Sequence, residues 1–595
     1  MATQDCKEAT VDFIISEGDP EMEAVADDIA TNLAKIGITL NVRSLNDTEY
    51  DEAELNGDYN ILFTRTWGAP YDPHSYFDSW AVPAHVEYSA IGNLEPPLTN
   101  ATLLDKIAKV QQELDPQVIQ AKWKEILNDV HQQAVFMPLW GTRSPFVVSR
   151  RLTGFSPGPQ AYTLPLTSVQ VVEGSSTVTL SPGVGSLFGT VGPLNPHQYG
   201  PNALYAQAWI YEGLVGYGQG GEVVPALATS WKTESNGDGQ RVTFQLRENV
   251  KFHDGSNWNC SVARLNLDHV LSDTVRQRHQ WFGAGKYLSN WECSDSGELV
   301  LETSTAFYPL LQELSYIRPL VFASAEAFHN GLDSDADEHN SCEPGGFGAA
   351  KWDFLEETIT CKGLTDPIGT GPFKYVSRDA HPEEEGKDAK VVFARHDDYW
   401  GQKTGIEQLE LVHYPDQKAV EEALLSEELD MALGVGPLSA QQVQEIKFYH
   451  SDKFDVRHSE VTQHALLVMN TQKSPTDDIS VRRSVIHGID KSTFLEEEFA
   501  GLEQAVTQLL PLTAPYCNVD LNPKWSYDPE KARLLNCPAP VESSGISTGA
   551  IVGIVAACVV AVGSLVFAMH LIDKEKQGKP VFAPEIEVVE KAEPA

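Results

Sequence analysis

Alternating blocks of apolar and polar positions open the chain and predict a β-α-β unit. Val11 to Ser16 is a short apolar run of the kind found in buried strands. Asp19 and Pro20 then supply the cap and first-turn residues of a helix. Apolar residues recur along this helix at three- and four-residue spacing, at Met22, Val25, Ile29, Leu33 and Ile36. Gly37 then ends the helix before a second apolar run at residues 38–42.

The same two periodicities continue along the rest of the chain. Helical spacing returns in residues 103–114 and 118–130, and an apolar run follows at 135–140. Beyond about residue 169 the pattern changes to short strands with turns, interrupted by a few helices. Near the end, Ala465 to Met469 reads as a short buried strand. We therefore predict an α/β protein with mixed sheets, and 595 residues are too many for one ordinary core.

A long apolar run near the carboxyl end predicts a membrane anchor. Gly549 to Met569 is a stretch of 21 residues without a charge, long enough to cross a bilayer as a helix. Three lysines follow it, so residues 1–548 are expected on the extracellular or lumenal side and a tail at 573–595 in the cytosol. No signal peptide is visible in Met1 to Val11. The sequence thus predicts a single-pass membrane protein.

Composition excludes several classes of function. Lys and Arg number 43 against 84 Asp and Glu, a net charge of −41 that repels nucleic acid. No phosphate-binding loop, zinc-protease motif or C-x-x-C pair occurs, so we predict neither an enzyme nor a catalytic cofactor. Cysteine pairs Cys342 with Cys361 and Cys260 with Cys293 are candidate disulfides. Sequons for N-glycosylation occur at Asn46, Asn100 and Asn259. Together, the cysteine pairs and the sequons indicate a glycosylated protein in an oxidising compartment.

Residues 65–85, the wall segment, carry the densest candidate chemistry. They follow the apolar strand 60–64 and combine aromatic rings, prolines and histidines in an irregular stretch. Trp67 and Tyr71 offer flat apolar faces with one polar edge each, and His85 offers an imidazole that can ligate a transition metal. Such a composition is typical of a binding wall and not of a framework helix.

The wall segment resembles the corresponding part of the oligopeptide/nickel family of bacterial solute-binding proteins, and of its nickel binders in particular. Further stretches resemble the same family: 191–199, 276–281, 308–319, 367–373 and 399–401. Those later stretches resemble the amino-terminal part of the family, whereas the segment up to about residue 166 resembles its carboxyl-terminal part. The order is therefore inverted, as in a circular permutant or in a piece cut from a tandem array.

The resemblance implies a two-lobed periplasmic-binding-protein fold. One lobe would comprise residues 143–459 and the other residues 460–540 together with 1–142. A stalk at 541–548 and the membrane helix at 549–572 would follow. Under the permutant reading Cys6 and Cys537 flank the break between the family's ends, and a disulfide between them would restore the lost connection.

Carried over residue by residue, the resemblance also implies a ligand site in the cleft between the lobes. Metal ligation would fall to His85, and the cargo would be nickel or a similar transition metal held by a small carboxylate chelator. Arginine forks would pair with the carboxylates of that chelator. The remaining lining residues are expected to be Tyr199, Arg278, Trp281, Arg318, Trp67 and Tyr71.

The sequence leaves three functions open. The first is a non-enzymatic receptor for the metal chelate, delivering it to an ABC permease or to another uptake machinery. The second keeps the fold and binds a short peptide instead. The third is an adhesion or scaffolding ectodomain whose ancestral site is idle.

Overall fold

The computed structural model describes residues 9–536, except 18–19, 84, 161–162, 185–189, 193, 198–203, 272–282, 328–366, 383–386, 435 and 500. Several sequence predictions lie outside the described residues. These are the pairs Cys6 with Cys537 and Cys342 with Cys361, the stalk at 541–548, the membrane helix at 549–572 and the tail at 573–595.

The described strands are, in chain order, β1 Ala9–Ser16, β2 Ile38–Leu45, β3 Ile61–Arg65, β4 Phe136–Thr142, β5 Pro145–Ser149, β6 Leu152–Thr153, β7 Gln170–Val171, β8 Thr177–Ser181, β9 Val215–Tyr217, β10 Val223–Pro225, β11 Ala228–Asn236, β12 Gly239–Leu246, β13 Leu288–Cys293, β14 Leu299–Thr303, β15 Phe373–Ala380, β16 Asp388–Arg395, β17 Gln408–Val412, β18 Met431–Leu433, β19 Phe454–His458, β20 Gln463–Met469 and β21 Gln504–Ala505.

The described helices are α1 Pro20–Ala34, α2 Asp47–Asn56, α3 His74–Ser79, α4 Val86–Ala90, α5 Asn100–Gln111, α6 Pro116–Gln132, α7 Leu204–Ile210, α8 Cys260–Val270, α9 Gly283–Tyr287, α10 Leu310–Glu313, α11 Gln417–Leu425, α12 Ala440–Tyr449, α13 Ile479–Gly488, α14 Lys491–Glu497 and α15 Pro529–Asn536.

The predicted β-α-β unit is confirmed. β1 pairs with β2 in parallel over its full length, from Ala9 opposite Ile38 to Ser16 opposite Leu45, and α1 connects them. The apolar stripe of α1, which includes Val25, Ile29 and Leu33, is fully buried against the sheet. Burying this stripe is what makes the helix stable, because isolated helices of this length are marginal in water.

Two large mixed sheets form the cores of two lobes. The first has six strands in the order β2-β1-β3-β20-β4-β21, and the second has seven in the order β15-β16-β17-β8-β18-β5-β19. A four-stranded antiparallel sheet, β11-β12-β14-β13, has its own apolar core beside the second. This is the two-lobed α/β binding-protein architecture with mixed sheets.

The first sheet joins distant parts of the chain. β20 lies between β3 and β4 and is antiparallel to both, so that Leu467 is opposite Phe63 on one side and Met137 on the other. The central strands are apolar on both faces because helices cover both sides of the sheet. The amino-terminal and carboxyl-terminal segments therefore build a single core.

The chain crosses between the two large sheets twice, at residues 143–144 and 459–462. The two crossings are hydrogen-bonded to each other. Ser459 N donates to Ser144 O at 3.0 Å, and Thr462 N donates to Thr142 O at 3.2 Å. Arg143 Nε adds a bond of 3.1 Å to Ser459 O. These two adjacent connections, here called the hinge, are where the chain passes from one large sheet to the other.

The prediction of a single-pass membrane protein is wrong on the present findings. Within the described ranges, no helix combines the length and apolar character needed to cross a bilayer. α6, at 17 residues, buries Trp123 and Ile126 on one face and exposes polar residues on the other. Hydropathy along the sequence had pointed to the run at 549–569, which belongs to the part of the chain left undescribed.

The remaining cysteine and asparagine predictions have mixed outcomes. Cys260 and Cys293 form a disulfide that joins α8 to β13. Cys517 is a buried free thiol. Glycosylation is not supported; instead, the side chains of Asn46 and Asn259 accept hydrogen bonds from Glu49 N and Val262 N as helix caps.

Candidate functional site

The wall segment starts at the hinge. Where β3 ends, Thr66 N donates to His464 O at 2.9 Å, and Gln463 Nε2 donates back to Thr66 O at 2.8 Å. His464 and Gln463 open β20, directly after the second crossing. The segment is therefore attached to the crossings that connect the two large sheets.

An aromatic core holds the wall segment against the first sheet. Phe77 and Trp80 stack at 3.9 Å between ring centroids, and Trp80 lies 5.1 Å from Phe136 of β4. Tyr76, Phe77 and Trp80 are all fully buried. Because protein interiors are close-packed, this buried cluster fixes the position of the wall segment. The other rings of the segment, those of Trp67 and Tyr71, are thereby held in place.

Three of the predicted site residues form a continuous line of rings. The indole of half-buried Trp67 lies 5.7 Å from the imidazole of His85 and 6.3 Å from the ring of Tyr71. Burial lowers the pKa of His85 below its usual 6.5, so its imidazole is neutral at pH 7. The neutral form of an imidazole is the one that binds a metal, through the lone pair of a ring nitrogen.

Residues 308–318, the facing segment, pack directly against the wall segment. The ring of Tyr316 lies 4.4 Å from that of Tyr71, and its hydroxyl is 2.8 Å from Ser75 Oγ and 2.7 Å from His74 Nε2. Gln312 Nε2 donates to Asp72 O at 3.2 Å. The two lobes thus meet through buried polar contacts.

Arg318 ends the facing segment next to this contact and is partly buried. Burial raises the pKa of Tyr71, and the charge of nearby Arg318 acts in the opposite direction. Arg318 therefore places a permanent positive charge within electrostatic range of the ring line. A guanidinium in a partly desolvated position is well suited to a carboxylate ligand.

Two buried acidic side chains, Asp72 in the wall segment and Glu87 just after it, carry little negative charge. Burial raises the pKa of Asp72 and that of Glu87 to about 7, well above their usual values. Both side chains are almost fully inaccessible to solvent. Near neutral pH a large fraction of each is protonated, so the site is less negative than the strongly acidic composition suggests.

The structure brings together Trp67, Tyr71, His85 and Arg318 of the predicted site. Tyr199, Arg278 and Trp281 lie outside the described residues, so their roles stay predictions. Sequence reasoning missed His74, Gln312 and Tyr316, which make the interlobe contact. Tyr308 to Arg318 had been noted as a stretch, but nothing in its spacing indicates which side chains reach the other lobe.

Metal-ligating side chains are sparse around His85. In the part of the chain that the structure describes, the one group of three potential ligands is Asp28 with Glu497 and Glu498, all carboxylates remote from His85 in sequence. A metal bound at His85 would therefore take further ligands from a chelator or from residues that are not described.

A prediction follows from Gly68, which adopts φ +76° within the wall segment. A Cβ there would lie 2.6 Å from Thr462 O and 2.8 Å from Cγ of Gln463, at the hinge. We expect Gly68→Ala to lower the free energy of unfolding by about 1–3 kcal/mol and to displace the wall, weakening ligand binding. Chemical denaturation and calorimetric titration measure the two effects.

The matched control is Gly57→Ala. Gly57 also has positive φ, +65°, but a Cβ there would meet only the Asn470 amide, at 3.4 Å. This variant should show backbone strain without a change in ligand affinity. Equal effects of both variants on affinity would contradict the assignment of Gly68 to the wall.

Comparison with known proteins gives a family match over more than half of the chain. The model described as "Bacterial extracellular solute-binding proteins, family 5 Middle" matches residues 3–87 and 222–537. The resemblance inferred from the wall segment and the later stretches is thereby confirmed.

Individual relatives match with lower coverage. The nickel-binding periplasmic protein of Escherichia coli K12 is 31% identical over 345 residues, 58% of each chain. The dipeptide-binding protein of the same strain is 26% identical over 54% of this chain and 56% of its own. The solved structure of NikA from Brucella suis in complex with Fe(III)-EDTA is 31% identical, with a TM-score of 0.49 over 60% of this chain and 63% of that one. The chain thus spans less than two thirds of each relative. The first relative is named as periplasmic, which also disagrees with the predicted membrane anchor.

Proposed function

We propose, because this chain belongs to the bacterial extracellular solute-binding proteins of family 5, that it is a non-enzymatic receptor for a small transition-metal chelate. The lobes would close on the chelate, with His85 as a protein ligand of the metal and Arg318 paired with a carboxylate of the chelator. The lobe ranges given from the sequence are part of this proposal, as is delivery to an ABC permease.

The observation that carries the proposal is the line of rings from His85 through Trp67 to Tyr71, which ends beside Arg318. One end offers a neutral nitrogen ligand, the middle offers flat apolar surface, and the other end offers a fixed positive charge. A metal bound to a small amino acid or polycarboxylate presents complementary groups in the same order. The relative named as nickel-binding supports this class of cargo.

The direct test is calorimetric titration of the protein with nickel alone, histidine alone and nickel plus histidine. Binding only when both components are present supports a chelate receptor. Binding of nickel alone with the same affinity would contradict the role given to Arg318, since that residue has no partner on a bare cation.

The pH dependence of ligand affinity tests whether His85 is a metal ligand. The imidazole is neutral above its lowered pKa and protonated below it, and a proton competes with the metal. The affinity gained from His85 should therefore stay constant from about pH 8 to pH 6.5 and be lost as the pH falls further. His85→Ala should weaken binding by about tenfold or more at pH 7.

The quantity to measure is the ratio of wild-type to His85→Ala affinity at each pH, because titration of the chelator itself cancels in that ratio. A ratio that stays the same at every acidic pH at which both proteins remain folded would exclude His85 as a titrating ligand.

A short-peptide receptor is the second candidate, supported by the match to the dipeptide-binding relative. A peptide carboxylate would use Arg318 in the same way, but it would not need His85. Mass spectrometry of ligands released from the purified protein discriminates the two, since a mixture of peptides without metal favours this candidate.

A further inference from the structure

A cavity lies in the first lobe, between the edge of its sheet and two helices. It has a volume of about 300 Å³ and is open to solvent on one side. We call it the lateral pocket. Its walls include Met137 of β4, Ile489 after α13, Lys491 of α14, Ala505 of β21 and Trp525.

The lateral pocket is separated from the wall segment by the sheet itself. Phe136 packs with Tyr76 and Trp80 of the wall segment on one face, whereas Met137 packs with Ile489 on the opposite face. Successive residues of a strand point to opposite faces, so β4 forms the partition between the two regions. A ligand in the lateral pocket would not touch the line of rings described above.

Lys491 is the only lysine or arginine that lines this pocket, and it has no carboxylate partner among the described residues. Its Nζ donates to the backbone oxygens of Pro138 and Val506, at 3.0 and 2.5 Å. An ammonium has three donors, so one is left for a group in the pocket. Burial lowers its pKa to about 8, and it remains mostly charged at pH 7.

The nearest acidic neighbour along the chain is otherwise engaged. Asp490, which also lines the pocket, caps α14, with Oδ1 accepting from Ser492 N at 3.1 Å and from Ser492 Oγ at 2.6 Å. No carboxylate contributes to the pKa of Lys491, so Asp490 does not act as its counter-ion. In a chain with a net charge of −41, a partly buried ammonium without a carboxylate is an unusual feature.

We propose that the lateral pocket binds a small organic acid with an apolar body. Its carboxylate would accept a hydrogen bond from Lys491 Nζ, and its apolar part would lie against Met137, Ile489 and the indole of Trp525. The hydroxyl of Thr507, also in the lining, is a further donor for the second carboxylate oxygen. This site is independent of the proposed metal-chelate function.

Calorimetric titration with hexanoate and phenylacetate, each paired with its neutral amide, tests the proposal on the full chain. We expect at least one acid to bind at least tenfold more tightly than its amide. Lys491→Met should remove that preference, because it deletes the charge and keeps the length of the side chain.

Lys491→Met also leaves two carbonyls without a donor and is open to misfolding, so a second variant is needed. Ala505 is exposed and lines the pocket, and Ala505→Leu should fill it and reduce binding of the acid at least tenfold while leaving Lys491 intact. The control is Gln504→Leu, on the same strand and pointing to the other face. The proposal is overturned if neither acid binds, if acid and amide bind equally, or if Ala505→Leu binds like Gln504→Leu.

Discussion

Replacing Arg318 by alanine should lower the affinity for the nickel–histidine chelate by at least about 100-fold, or about 2.7 kcal/mol. The reason is the partly buried position of Arg318 beside Tyr71, in which a charge-assisted bond to a carboxylate is only weakly screened by solvent. Truncating one partner of such a pair leaves the other charge desolvated and unpaired, at a cost of roughly 2–5 kcal/mol. Calorimetric titration at pH 7 measures the loss.

Two further variants show whether geometry or charge is responsible. Arg318→Lys keeps the charge but loses the planar fork, so its affinity should lie between those of the wild type and Arg318→Ala. Arg264→Ala removes an exposed arginine of α8 that pairs with Asp268 and should leave the affinity unchanged. Unaltered binding in a folded Arg318→Ala protein would rule out the proposed pairing with the ligand.

Replacing Arg482 by methionine should lower the free energy of unfolding by about 3 kcal/mol or more. Arg482 is fully buried and donates to three backbone oxygens: to Gln133 O at 3.1 Å, Thr476 O at 2.8 Å and Asp477 O at 3.0 Å. Methionine fills a similar volume but leaves these acceptors without a donor. Each buried carbonyl left unsatisfied costs about 1–3 kcal/mol.

The adjacent Arg483 supplies the control for urea denaturation. It is less buried and donates one hydrogen bond, of 3.2 Å, to Gln132 O, so Arg483→Met should cost less than about 1 kcal/mol. Arg482 connects residue 133 with residues 476–477, which are more than 300 positions away along the chain. A small effect of Arg482→Met would argue against the two chain segments sharing one core.

Local elements were predictable because their patterns are local. The helices predicted at 103–114 and 118–130 differ by only a few residues from α5 and α6, and the apolar run at 135–140 agrees with β4. The largest error came from the same kind of reasoning applied to the apolar run at 549–569. Hydropathy measures only how long and how apolar a run of residues is. Among the described residues, no helix has the properties of a membrane span.

The chemistry of the site was predictable only in part. Trp67, Tyr71 and His85 stand out within one short segment, and Arg318 was reached through the resemblance to the family. The raised pKa of Glu87 and that of Asp72 could not be foreseen, because either residue reads in the sequence as an ordinary surface acid. Desolvation depends on what the fold places around a carboxyl group, and that is absent from a one-dimensional pattern.

The amino-acid sequence by itself determined the β-α-β opening, the amphipathic helices and the concentration of ring-bearing residues at 65–85. Each of these arises from periodicity or composition within a few turns of chain. Only the tertiary structure decided that β20 pairs between β3 and β4, that Tyr316 reaches Tyr71 and that Lys491 lines a cavity without pairing with a carboxylate of the described residues. Those contacts join residues separated by tens to hundreds of positions, and they form because the lobe as a whole buries its apolar surface, which no single segment encodes.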